Sequence, residues 1–317
     1  MSAMRALVIG AEGFVGGHLR RHLSECGDDI VGTCLISSGE GDPLLPLDVK
    51  DRDAVRELVH DVAPDVVYHL AAISFVPETM KDPSAAFAVN TLGTVHVFEA
   101  LTRLRRPSRM VFVSTGEVYG LVRPHEVPVS EEQPVDPRTP YAASKVATEL
   151  ALRGCAGVPG APEWIVLRSF NHTGPGQGPS FVCSDFASQV AAIEAERQEP
   201  VIRVGNLSAE RDFTDVRDVV RAYRMVAKHG SAGSIYNVAS ERPISIQSVL
   251  DSLLALSSAE IRVETDPDRM RPIDMPVMAG DASALRRATG WQPEIPFDDT
   301  LRDLLEFWRS VEGGAGA

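Results

Sequence analysis

The sequence has little from which to build a covalent scaffold. Its 317 residues hold four cysteines, Cys26, Cys34, Cys155 and Cys183. None falls in a Cys-x-x-Cys pair and no histidine stands at zinc-ligand spacing from them. That excludes a disulfide-stapled miniprotein and leaves no metal site to expect. Scattered thiols of this kind suit a reducing compartment. No apolar run approaches the ~20 residues of a membrane span. The only N-terminal run, at 6–9, stops at Gly10 and is too short for a signal peptide. A cytoplasmic protein is expected, with no membrane partner. Positive charge is also in short supply: Lys plus Arg number 31 against 44 Asp plus Glu, a net charge of −13. Such a chain repels polyanions, so nucleic acid is a poor partner. What is plentiful is ordinary core material, at 44% hydrophobic residues. At roughly 150 residues per domain, the length allows about two domains.

Apolar runs of strand length alternate with amphipathic stretches. Strands are expected at 6–9, 29–34, 65–70, 109–114 and 164–168, and helices at 15–26, 52–62, 84–104 and 140–153. Continuous apolar strands between helices predict a parallel sheet covered on both faces, an α/β fold of the doubly wound Rossmann type. The rhythm changes near residue 170, at the turn-rich Gly174-Pro175-Gly176-Gln177-Gly178-Pro179. Beyond it, helices are expected at 184–197, 216–228, 246–256 and 300–309, strands at 201–204 and 235–238, and an irregular loop at 265–278. The division read from this is a nucleotide-binding domain over 1–170, with a further element near 215–240. A smaller α/β substrate lobe covers most of 171–317.

Gly10-Ala11-Glu12-Gly13-Phe14-Val15-Gly16 stands between the first strand and the first helix. Gly10 permits the tight turn, Gly13 lets a pyrophosphate approach the backbone, and Gly16 allows close helix-on-strand packing. The helix end offers unpaired N–H groups to the anion. The residue ending the second strand reads the adenosine ribose, where Asp favours NAD. Here it is Cys34, followed by Leu35, Ile36 and Ser37. Without an acid at that position nothing there repels a 2′-phosphate, so the cofactor reading leans to NADP(H) over NAD(H).

Tyr141-Ala142-Ala143-Ser144-Lys145 places a phenol and an ammonium at i and i+4 of a helix, on one face. A nearby cation favours phenolate and is expected to lower the Tyr141 pKa. A phenol so tuned passes a proton to or from an alcohol or carbonyl oxygen. Val113-Ser114-Thr115-Gly116-Glu117-Val118-Tyr119-Gly120 ends a central strand, where α/β folds bind ligands.

The spacing of the glycine turn, with these two motifs, resembles the extended short-chain dehydrogenase/reductase family, in its nucleotide-sugar-modifying branch. The resemblance runs over about residues 4 to 311. It implies that Asp48 and Val49 contact adenine, that Leu70, Ala71 and Ala72 let the cofactor pass, and that Asn90 is structural. Lys145 would hold the nicotinamide ribose. Thr115 would hydrogen-bond the reacting oxygen, unless it only caps its own backbone. The 4,6-dehydratases of this family carry Thr, then Asp or Ser, then Glu. Here Glu117 is kept but the middle position is Gly116, which has no side chain to act as an acid. Simple 4-epimerases usually have small apolar residues at both positions. In a 4-ketoreductase, Glu117 would orient a sugar hydroxyl, or it could be a salt-bridged structural residue.

Arg168-Ser169-Phe170-Asn171-His172-Thr173-Gly174-Pro175-Gly176-Gln177 and Arg211-Asp212-Phe213-Thr214-Asp215 are similar to segments of guanosine-diphospho-sugar enzymes, in particular the GDP-4-keto-6-deoxymannose reductases. Asn171, Val204, Asn206, Arg211 and Arg271 map onto substrate-binding positions. A turn role for Asn171 and surface ion pairs for the two arginines stay open. The resemblance implies an NAD(P)H-dependent reduction of the C4 ketone of GDP-4-keto-6-deoxy-D-mannose to a GDP-6-deoxyhexose of the GDP-rhamnose type. The rivals are a 4,6-dehydratase or epimerase and a non-catalytic dinucleotide sensor. It also implies a homodimer in which helices 84–104 and 140–153 form a four-helix bundle.

Overall fold

The computed structural model describes residues 3–36, 39, 43–104, 106–269 and 275–314. Arg271 and Ser37 lie outside the described residues. The first half alternates as expected: β1 (Arg5–Ile9), α1 (Phe14–Glu25), β2 (Asp29–Cys34), β3 (Leu44–Pro46), α2 (Arg52–Val62) and β4 (Val66–His69). Next come α3 (Val76–Lys81), α4 (Pro83–Phe87), a π-helical turn (Ala88–Gly93) and α5 (Thr94–Thr102). β5 (Arg109–Thr115), a 3₁₀ turn (Gly116–Tyr119), α6 (Pro140–Cys155) and β6 (Glu163–Ser169) complete it. The second half contains β7 (Asn171–Thr173), α7 (Val182–Glu194), β8 (Val201–Val204), β9 (Glu210–Asp215), α8 (Val216–His229) and β10 (Ile235–Val238). β11 (Pro243–Ser245), α9 (Ile246–Ala255), β12 (Arg262–Thr265), β13 (Val277–Met278), α10 (Ser283–Thr289) and α11 (Phe297–Glu312) follow.

Seven strands form one sheet in the order β10-β6-β5-β4-β1-β2-β3, and every pairing in it is parallel. Strand order reverses at β1, which leaves a crevice at the carboxyl ends of β1 and β4. Separate apolar clusters cover the two faces of the sheet: Ala6, Val8 and Tyr68 point to one, and Leu7, Ile9 and Val67 to the other. β10, from far down the chain, joins the sheet beside β6. A third cluster packs α7, α9 and α11 around Phe186, Ile202 and Leu250, beside the small sheet β11-β9-β13 that β7 also joins.

The helix expected over 84–104 is interrupted by the π-helical turn, and the cause is local. The Asn90 carbonyl accepts from the hydroxyls of Thr94 and Thr148, at 2.6 and 3.0 Å. Side chains inserted into the backbone ladder widen a helix at that point. The Asn90 side chain then reaches across to the Ile73 backbone and to Ser144 Oγ. It ties the loop after β4 to α6.

Candidate active site

Gly10 has φ +84, and a Cβ there would stand 2.8 Å from the Ala71 nitrogen. A Cβ on Gly16 would stand 2.4 Å from the Gly10 carbonyl oxygen. Both glycines are therefore steric requirements for the β1 turn to nest against the end of β4 and under α1. Gly13 differs. It is exposed, and its nearest neighbour for a Cβ is 3.5 Å away. It is the N-cap of α1 with no side chain capping the helix, so the first N–H groups face outward, as an anion cradle requires. Phe14 and Val15 are half-buried behind it, and Phe14 stacks on His172 with ring centres 6.3 Å apart. The cradle is thereby pinned to the Asn171-His172 strand.

Leu70, Ala71 and Ala72 leave the end of β4 beside Gly10, with the Leu70 and Ala71 nitrogens donating to the Ile9 carbonyl. Asp48 is half-buried and fixes its own turn by accepting from the Lys50 N–H at 2.9 Å. Val49 is buried against Gly93 of the π-helical turn. These residues can hold a dinucleotide: small groups where the backbone must be approached, an uncapped helix end, and an apolar wall.

Thr115 ends β5, and Tyr141 and Lys145 lie on the first turns of α6. Thr139 starts that helix by accepting from the Ala142 N–H, with Pro140 at its first position. Thr115 Oγ1 accepts from the Glu117 N–H at 3.2 Å, the backbone-capping role, and also hydrogen-bonds the Tyr141 phenol. Lys145 is buried. Its Nζ donates to the Val113 carbonyl at 2.8 Å and lies 5.9 Å from the centre of the Tyr141 ring. Glu117 is half-buried on the 3₁₀ turn.

The electrostatics reverse one expectation. The Tyr141 pKa is raised, not lowered: burial leads, and the Glu117 carboxylate adds to it, against the Thr115 hydrogen bond. Burial also brings Lys145 down to about 7, opposed by the Glu149 carboxylate one turn on. The Lys145 amine is itself desolvated and bonded to the Val113 carbonyl.

A family model described as GDP-mannose 4,6 dehydratase matches residues 7–304. The chain belongs to this family. It is 35% identical to a GDP-6-deoxy-D-mannose reductase of Pseudomonas aeruginosa, over 96% of this chain and 97% of that one. Among solved structures it is similar to RMD from Pseudomonas aeruginosa complexed with NADPH, at 34% identity, TM-score 0.87 and coverage of 96% and 99%. It is also similar to a Thermus thermophilus UDP-glucose 4-epimerase in complex with NAD, at 28% identity, TM-score 0.85 and coverage of 96% and 99%.

The remaining positions suggested by family likeness differ in what their side chains do. Asn171 is exposed on β7. Asn206 Oδ1 accepts from the N–H and hydroxyl of Ser208. Arg211 Nη1 donates to the carbonyls of Glu210 and Met275, at 2.8 and 2.7 Å. Val204 has its side chain buried in the third apolar cluster, and its carbonyl accepts from the Asp266 N–H. Asp212 and Asp215, in the same run as Arg211, are scaffolding. Buried Asp212 accepts from the N–H groups of Ser240, Glu241 and Gly280, and Asp215 caps α8.

Two arrangements escaped the sequence reading. Glu149 of α6 and Arg168 of β6, 7% and 5% exposed, form a buried ion pair at 2.7 Å, and Ser114 Oγ donates to the same carboxylate. Phe170 fills the space beside Gly116, where a Cβ would come 3.1 Å from its ring. The same ring would lie 2.4 Å from a Cβ on Gly280.

Proposed function

We propose that this chain reduces the C4 ketone of a GDP-linked 4-keto-6-deoxyhexose, giving a GDP-6-deoxyhexose of the GDP-rhamnose type in the cytoplasm. The observation that carries the reading is Gly116 with Phe170 packed beside it. A dehydratase must protonate the hydroxyl leaving C6, and this position offers no acid and holds the Phe170 ring close against it. A reduction consumes a proton at the new alkoxide, and the Tyr141 phenol is the group placed to give it. When bound, the nicotinamide dinucleotide supplies the hydride that turns the ketone into an alkoxide. Tyr141 gives its phenolic proton to that oxygen, and Thr115 Oγ1, already on the phenol, steadies it. Lys145 holds the nicotinamide ribose. Glu117 orients a sugar hydroxyl, and Asn171, Asn206, Arg211 and Arg271 take the nucleotide diphosphate. The uncharged end of β2 is the argument for NADP(H) over NAD(H), and Glu12 opposes it.

The test is oxidation of NADH or NADPH by GDP-4-keto-6-deoxymannose. Turnover is expected, and Tyr141→Phe is expected to lower it about 10²- to 10⁴-fold, the range of a lost acid–base group. Conversion of GDP-mannose to the 4-keto-6-deoxy sugar without added reduced cofactor would favour the dehydratase reading instead. The pairing expected from helices 84–104 and 140–153 has apolar surface to bury: Phe87, Leu92 and Leu150 are 38%, 56% and 61% exposed. A homodimer through these helices predicts twice the chain mass by light scattering.

A further inference from the structure

We infer that Glu12, reaching from the glycine turn rather than from the end of β2, reads the adenosine ribose and makes this site selective for NAD(H) over NADP(H). Glu12 Oε1 accepts a hydrogen bond from the Leu35 N–H at 2.9 Å. Leu35 is the first residue past β2, so the carboxylate stands where a Rossmann site keeps its ribose-reading acid. The turn that carries it is locked to the same strand. The Ala11 N–H donates to the Thr33 carbonyl at 2.8 Å, and the Gly10 N–H to Thr33 Oγ1 at 3.3 Å. Glu12 directly precedes Gly13, the outward-facing anion cradle. Its carboxylate therefore lies between the pyrophosphate position and the end of β2, the interval that the adenosine ribose must span.

The chemistry follows from what a carboxylate accepts. One oxygen is oriented by Leu35, and the other lone pairs can accept from a ribose 2′-hydroxyl. A 2′-phosphate there would set an anion beside an anion. Beyond Glu12, the described residues past Cys34 offer no cation to offset it: Leu35 and Ile36 are 60% and 83% exposed and apolar. Arg20 and Arg21 line the same groove of about 770 Å³. They sit further along α1, Arg20 seven residues past the N-cap or roughly 10 Å of helix rise. The Arg20 stem packs across Gly32, its Cδ 3.5 Å from where a Cβ would be. The inference reverses the lean to NADP(H) that Cys34 alone supports. It rests on the dinucleotide site, and not on the sugar chemistry.

The test is direct titration of the free protein with NAD⁺ and with NADP⁺ by calorimetry, at one salt concentration, with no sugar nucleotide present. The wild type is expected to bind NAD⁺ at least about tenfold more tightly, a difference of about 1.4 kcal/mol. Glu12→Gln keeps an acceptor and removes the charge, so it is expected to retain NAD⁺ binding within a few-fold while gaining NADP⁺. Glu12→Ala is expected to lose NAD⁺ affinity as well. NADP⁺ bound as tightly as NAD⁺ by the wild type overturns the inference. So does a selectivity ratio unchanged in both variants, or an NADP⁺ preference that Arg20→Ala abolishes. Because no sugar is used, the ketoreductase reading can fail while this one stands, and the reverse.

Discussion

The two ends of the dinucleotide crevice are built on opposite terms. At the proposed adenosine end, the groove is lined by backbone, glycine and the exposed Glu12 carboxylate, with Arg20 and Arg21 further along α1 and bare leucine and isoleucine past β2. At the catalytic end, Thr115, Lys145 and the Glu149–Arg168 ion pair are buried and each polar group has a partner. This end works through side chains whose positions are enforced from several elements at once. Changes should therefore be cheap for stability at the exposed positions of the adenosine end, Gly10 and Gly16 excepted, and costly at the catalytic end.

The sharpest way to break this contrast is the buried pair. Arg168→Met leaves the Glu149 carboxylate buried without its cation, and removing one partner of such a pair costs about 3–5 kcal/mol. Urea unfolding should show that loss, and a loss near zero would mean the catalytic end is not braced as described. Next comes a pH effect. Lys145, held near 7 in the fold, is released on unfolding to an ordinary pKa of about 10.4. The folded chain then binds fewer protons than the unfolded one between these values, so this group's contribution to stability rises with pH, by up to about 1.4 kcal/mol per unit. From pH 7 to 8.5, stability of the cofactor-free protein should rise relative to Lys145→Met, and parallel curves would show an ordinary lysine. The smallest effect belongs to the other end. Ile36→Ser, at an 83% exposed position, should change stability by no more than about 0.5 kcal/mol.

Much of the adenosine end was legible because its chemistry is written in adjacent residues. The spacing of Gly10, Gly13 and Gly16 states the turn, and the apolar runs around it state the sheet. Tyr141 and Lys145 were legible for the same reason, one helical turn apart. Their electrostatics were not. Neither the burial of the phenol nor the bond from Lys145 to Val113 follows from an i, i+4 spacing, so the direction of the Tyr141 shift was read backwards. A role for Glu12 is not legible within the glycine turn, because its meaning depends on where β2 ends in space. The short strands β11, β12 and β13 carry too few residues for a period to show, and β12 is exposed throughout. Glu149 and Arg168 are separated in sequence, and only the sheet brings them together.

Phe170 has a consequence for substitution as well as for packing. Its ring lies against two glycines drawn from distant parts of the chain, Gly116 beside the reacting centre and Gly280 behind it. An acid gained at 116 would press on the Phe170 ring, and a smaller residue at 170 that relieved it would leave a hollow beside Gly280. The three positions are therefore coupled, and a change at one is felt at the other two.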